Sequence, residues 1–394
     1  MSAVPKRILP VIAISQFAGT SVWFAINAVM ADLQRDVALP AAAVGWLTAS
    51  VQIGFIAGTF GFALLSIADR FSPRMVFLVC SLLAGALAAA TALLPPELKL
   101  LLALRFLTGV ALAGIYPVGM KIAAGWFAQG LGWALGVLVG ALVVGSALPF
   151  ALRALGASWS WQAVMLAIAA VATGGGLLMH AFVPDGPHLA PAARITPRAL
   201  AVIWSDRAVR ASAFGYFGHM WELYAFFVLI PAIVATRFQG AAAAWWVAIT
   251  MALGGVACVA GGALARRVGG SRVAAFQLAS SGLCALLAPW LLEAPLWAWG
   301  AWLLWWGATV LWWGATVSGD SPQFSALTAA NAPRAMVGSV LTFVNAIGFT
   351  LSTATITLFA ALAARGPLAQ VLPWLAVGPA IGLAFLAPLW KAAR

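Results

Sequence analysis

The stretch FGHMWELYAFF, Phe217 to Phe227, is almost wholly apolar, yet it carries a base and an acid three residues apart, His219 and Glu222. On a helix, positions i and i+3 share a face, so these two are expected to act as a pair. Burial disfavours the charged form of each, and mutual attraction favours it, so the balance moves as water enters or leaves. That chemistry suits a proton carrier or a ligand for a charged solute. A plain hydrogen bond between buried side chains is the simpler alternative for both.

Other charges stand in equally apolar surroundings. Arg105 opens the run RFLTGVALAGIYP, Lys121 lies one turn past Pro117, and Asp320 interrupts an apolar run at Ser318-Gly319-Asp320-Ser321-Pro322. A charge at the centre of a hydrocarbon layer costs about 2.5–3.5 kcal/mol on insertion scales, so it persists only where it faces protein or water. Arg105 therefore has either a gating or proton-related role or a structural ion pair. Lys121 and Asp320 are expected to meet as a gate ion pair or else to reach separately for the headgroup layer.

The elements that must hold these residues follow from composition. The 394 residues are 64% hydrophobic and 8% charged, whereas a soluble domain is about a quarter charged, so a water-soluble fold is excluded. Apolar runs long enough to cross a bilayer, about 20 residues each, recur twelve times. They fall near 8–31, 43–66, 74–94, 99–127, 131–154, 161–183, 208–236, 242–265, 273–292, 296–328, 336–363 and 368–390. The expected fold class is an all-α integral membrane protein with twelve transmembrane helices.

The net charge of +12 is spread singly through short loops, which argues against nucleic acid and for sidedness. With Lys6 and Arg7 in the cytoplasm, the same face receives Arg70, Arg74, Arg194, Arg198, Arg207, Arg210, Arg266, Arg267, Arg272, Arg334, Lys391 and Arg394. The opposite face receives Arg35, Lys99, Arg153, Arg237 and Arg365. This imbalance predicts both termini in the cytoplasm of a bacterial inner membrane. The first span is longer than a signal-peptide core and is read as a retained helix. The three cysteines, Cys80, Cys258 and Cys284, lie in separate spans without metal or redox spacing.

A single long polar connection, residues 184–207, divides six spans from six. The expected organisation is an N-terminal bundle over 1–183, a cytoplasmic linker over 184–207 and a C-terminal bundle over 208–394. Internal similarity supports it. At an offset of 200, Phe17 falls on Phe217 and Ala25 on Ala225; at 205, Tyr116-Pro117 falls on Ser321-Pro322. Two parallel repeats place a solute site at their interface near the midplane. Cavity candidates on that plan are Trp23, Phe24, Asn27, Gln52, Tyr224 and Asn345.

The loop Ala68 to Arg74, ADRFSPR, resembles the signature that follows the second helix in the major facilitator superfamily, and the resemblance covers essentially the whole chain. Leu65 stands where that pattern has Gly, and Ser72-Pro73 replace its Gly-Arg, while Asp69, Arg70 and Arg74 remain. In the second copy, Gly262 and Gly269 are kept but Arg266 replaces the acid. The resemblance implies a cytoplasmic lock in the outward-facing state, one-sided here, with Asp69 holding partners at helix ends. Arg105 to Gly109 is similar to the superfamily's Arg-x-x-x-Gly segment. TSVWFAINAV and DSPQFSAL look like the nitrate, cyanate and oxalate branches, although no Arg lies in the second or eighth span, which argues against nitrate itself.

Small residues four apart let helices approach closely, and Gly54, Gly58 and Gly61, with Gly132, Gly136, Gly140 and Gly145, fit packing or sliding surfaces. The heptad repeat WWGATVL-WWGATVS, Trp305 to Ser318, stacks tryptophan pairs on one helix, read mainly as lipid-facing or packing. The expected function is secondary transport of a small organic or inorganic anion by alternating access, coupled to protons. The alternative is a copper importer using His219 and Met220 as soft ligands. No nucleophile triad, zinc motif or phosphate loop is present, so no enzyme is expected. Nothing calls for a cofactor; the expected partners of a monomer are solute, protons and lipid.

Overall fold

The computed structural model describes residues 4–127, 129–189, 196–292 and 310–391. Among these the regular structure is entirely helical. The first half contains α1 (Ile8–Thr20), α2 (Ala43–Leu64), α3 (Pro73–Leu93), α4 (Leu98–Ala113), α5 (Tyr116–Trp126), α6 (Leu131–Leu155) and α7 (Trp161–Phe182). Next come the short α8 (Arg198–Ser205), then α9 (Arg207–Ala235), α10 (Gly240–Val268) and α11 (Gly270–Leu292). The described chain ends with α12 (310–319), α13 (Ser321–Asn331), α14 (Val337–Ala363) and α15 (Val377–Lys391).

Ten helices among the described residues are long and apolar enough to cross a membrane, counting α4 and α5 as one. One of the twelve expected spans differs. The first breaks after the 13-residue α1 and continues in shorter turns. The tenth lies outside the described residues up to 309, including the first copy of the tryptophan repeat.

The chain forms two compact units, Met1–Ala192 with Gly240–Ala248, and Ala193–Gln239 with Ile249–Arg394. In the first, α2 packs along α4, α3 along α7, and α1 against α6 and α7. In the second, α9 lies against α14 and α15, while α11 meets α13 and α15. The α2–α4 seam is a backbone contact: a Cβ on Gly54 would stand 1.9 Å from the Phe106 carbonyl oxygen, and one on Gly109 would stand 2.1 Å from that of Val51. Glycine is required at both positions. Gly58 and Gly145 are similarly crowded, but Gly61, Gly132 and Gly136 meet nothing within 4 Å, so the expected close-packing stripes are only partly used.

Each unit also contains a broken helix with proline just inside the second segment. Gly114 and Ile115 separate α4 from α5, which carries Pro117 in its first turn; Asp320 separates α12 from α13, which carries Pro322 there. Proline lacks an N–H, and the first turn of a helix is where that loss costs least. Both resumed segments are 11 residues long.

Candidate functional site

The site in the second unit is built on α9. Asp206 caps this helix by accepting from the backbone N–H groups of Ala208 and Val209, each at 2.9 Å. The apolar window of α9 is 83% buried, against 39–61% for the other long helices. A helix buried over most of its surface has little solvent face for a polar side chain. His219 and Glu222 are both fully buried.

Their partners differ from the expected mutual pair. His219 Nδ1 lies 2.8 Å from Asp320 Oδ1, and Asp320 is also fully buried. Asp320 occupies the break before α13, where the positive end of the helix dipole favours an anion. Glu222 Oε1 accepts from the Ser281 hydroxyl on α11, at 2.5 Å. Glu222 Oε2 has no hydrogen-bond partner among the described residues. Asp320 lies within electrostatic reach of Glu222, so one acid has a base beside it and the other has a hydroxyl.

Rings enclose this polar group. Tyr216 and Phe324 stand 5.8 and 6.5 Å from the His219 ring, and Tyr224 packs on Phe349 at 5.6 Å. In the described copy of the tryptophan repeat the two rings divide: Trp313 is buried 4.6 Å from Phe226, and Trp312 is exposed. Asn345 is half-buried on α14.

Arg105, in the first unit, has no ion-pair partner among the described residues. It donates instead to the carbonyl oxygens of Val22, at 2.9 Å, and Trp23. The first span unwinds between Thr20 and Ala25, which frees backbone carbonyls in a buried place. The guanidinium answers two of them, so the structural alternative for Arg105 takes the form of a cap on a broken helix. Around the break, Trp23 packs on Phe55 at 4.9 Å, Phe24 is fully buried, and Asn27 donates to Thr48 at 2.9 Å. Thr48, Gln52 and Phe55 share a face of α2, placing Gln52 between those contacts; its amide is buried with no partner among the described residues.

In the loop after α2, Lys121 Nζ pairs with Asp69 and donates to the Ala68 carbonyl at 2.7 Å. Arg70 is exposed and Arg74 half-buried, and neither forms an ion pair among the described residues. Lys121 and Asp320, read either as a gate ion pair or as two separate charges, each have a partner inside their own unit. The contacts are local: Lys121 lies midway along α5 beside the loop after α2, and the wholly buried Asp320 faces His219.

Sequence reasoning missed two features. Ser281 is one of two adjacent serines in an apolar span, and that doublet was the available signal. Asp32 is held by Arg153, Nε to Oδ2 at 3.0 Å, and by Arg35; neighbouring Asp36 accepts from Trp161 Nε1 at 3.1 Å. In the sequence Arg35 and Arg153 stand out only as charges of one face, and nothing there ties them to Asp32. Met220 is buried, and among the described residues no group of three His, Cys, Asp or Glu side chains is close enough to hold a metal ion.

Long apolar helices, several with charged side chains buried inside them, define a multi-pass membrane protein. The sequence pattern of the Major Facilitator Superfamily matches residues 12–357, and the chain belongs to that superfamily. The niacin transporter NiaP of Acinetobacter baylyi is 35% identical over 132 residues, 29% of this chain and 29% of the relative. The probable sulfoacetate transporter SauU of Cupriavidus necator is 25% identical over 257 residues, 57% of this chain and 58% of the relative. The chain thus matches less than two thirds of either relative's length. The structure of the nucleoside transporter NupG superposes with a TM-score of 0.74 at 12% identity, over 96% of this chain and 99% of that one. A bacterial homologue of the human lysosomal transporter Spinster, inward-facing and occupied, gives 0.71 at 13%, over 100% and 96%. At such identities the likeness concerns the fold.

Proposed function

We propose that this chain is a proton-coupled secondary transporter that moves a small organic anion across a bacterial inner membrane by alternating access, with both termini in the cytoplasm. The observation that carries the coupling is Glu222: fully buried, held by one hydroxyl, with its second oxygen unanswered among the described residues. A carboxyl so placed can be charged only when water or a cation reaches it. Opening to water releases its proton, and closure requires the proton back. His219 and Asp320 form a separate buried acid–base pair on the same unit, their facing atoms 2.8 Å apart, and Asp69 with Lys121 forms a contact of the cytoplasmic lock.

The anion reading draws on the relatives. Niacin and sulfoacetate, the solutes named for the two matched transporters, each carry a carboxylate at neutral pH. No specific observation favours copper. The test is uptake into liposomes containing the purified protein, with the inside made alkaline, of radiolabelled nicotinate, sulfoacetate and related carboxylates. Accumulation above equilibrium that a protonophore collapses and a copper chelator leaves intact supports the reading. Copper uptake with no response to any carboxylate contradicts it.

A further inference from the structure

The short helix α8 carries two apolar stripes rather than one. Ala199 and Ile203, four residues apart, are fully buried, and the helix packs on α9 and α14. Leu200 and Trp204, also four apart, point the other way and are 40% and 49% exposed. The inner stripe is covered by protein and the outer one is only partly covered. Two further ties fix the helix: the Thr196 backbone N–H donates to Ser339 Oγ at 3.0 Å, and Arg210 Nη1 donates to the Trp204 carbonyl at 2.8 Å.

The outward tryptophan does not stand alone. Its ring meets Phe214 edge-on at 5.6 Å, and Phe214 stacks on the exposed Phe385 at 4.1 Å. An aromatic ladder thus runs from α8 onto the outer faces of α9 and α15. Three arginines flank it: Arg198 at the start of α8 and Arg207 at the start of α9, both exposed, and the half-buried Arg210. The one acid among them, Asp206, is engaged in capping α9.

We propose that α8 is an interfacial helix and that Arg198, Arg207 and Arg210 bind the headgroup of an anionic phospholipid, with Leu200, Trp204 and Phe385 beneath its acyl chains. Tryptophan is favoured at headgroup depth, where an apolar ring and a polar N–H are both accommodated. Arginines on a neighbouring surface add attraction for anionic lipid that zwitterionic lipid does not share. Charge complementarity argues for the occupant: the surface is cationic at one edge and apolar beside it, which matches the negative head and apolar chains of an anionic lipid. The consequence is that the segment entering the second unit is anchored to the bilayer itself.

The test uses the whole protein in a mild detergent and short-chain phosphatidylglycerol as the probe, read by native mass spectrometry and by thermal midpoint. Phosphatidylcholine and inorganic phosphate are the comparison arms. Phosphatidylglycerol is expected to be retained and to raise the midpoint; the other two are not. The triple variant Arg198→Gln, Arg207→Gln, Arg210→Gln is expected to weaken its binding by roughly 100-fold, at about 5-fold per arginine. A spin label at Ala201→Cys, on the exposed side of α8, should report headgroup depth in vesicles containing phosphatidylglycerol. Equal binding of phosphatidylcholine, equal stabilisation by inorganic phosphate, unchanged binding in the triple variant or a fully aqueous label would each overturn the proposal.

Discussion

Removing the His219 imidazole leaves Asp320 as a buried carboxylate without its base. Both side chains are 0% exposed and their facing atoms are 2.8 Å apart. Taking away one partner of such a pair in its ionised form costs about 3–5 kcal/mol, because the group left behind stays desolvated and uncompensated. On the scale of a domain of 150–250 residues, about 2–4 °C per kcal/mol, His219→Ala and Asp320→Ala should each lower the thermal midpoint by roughly 6–20 °C. The double variant removes both partners together, so its loss should fall short of the sum, with a coupling of about 2–3 kcal/mol. The assay is scanning fluorimetry on the four proteins purified in one detergent. A parallel cycle on Lys121 and Asp69, each about one-fifth exposed, should give only about 0.2–1 kcal/mol, because water screens the pair. Additivity of the His219 and Asp320 effects within about 0.5 kcal/mol, or a larger coupling of His219 to Glu222 than to Asp320, would refute the reasoning.

Two further predictions concern the scaffold. Gly109→Ala drives a methyl to 2.1 Å from the Val51 carbonyl and should cost at least about 1–3 kcal/mol by forcing α2 and α4 apart. Gly61→Ala, with nothing within 4 Å, should instead gain up to about 1 kcal/mol of helix propensity; thermal midpoints moving in the same direction would contradict the seam. Ser66 adopts a left-handed backbone, φ 52°, in the loop after α2. Ser66→Gly should relieve about 1 kcal/mol of strain and raise the midpoint, and a lowered midpoint would count against it.

Much of the fold was legible because a bilayer imposes length and apolarity on each crossing. The broken helices were legible too: Tyr116-Pro117 and Ser321-Pro322 open matching segments in the two units. What the sequence could not show was which polar groups meet. Periodicity puts His219 and Glu222 on one side of α9, but a side chain's partner depends on what neighbouring helices bring to the same depth. Asp320 and Ser281 arrive from about 100 and 60 residues away. Arg105 was recognisable as a buried charge, yet its partners are carbonyls freed by the unwinding at 21–24, and no residue type announces a free carbonyl. The loop after α2 shows the opposite case: Leu65 stands where the superfamily has glycine, and the adjacent Ser66 takes the left-handed turn.

Proton coupling through Glu222 is tested most directly by Glu222→Gln in liposomes, with uphill uptake and solute exchange measured on the same preparation. The amide keeps the size and the Ser281 contact but cannot take up or release a proton. The account predicts that exchange of labelled solute across the membrane persists while accumulation driven by a pH gradient, and its dependence on pH, are lost. Uphill accumulation with unchanged pH dependence in Glu222→Gln would contradict it.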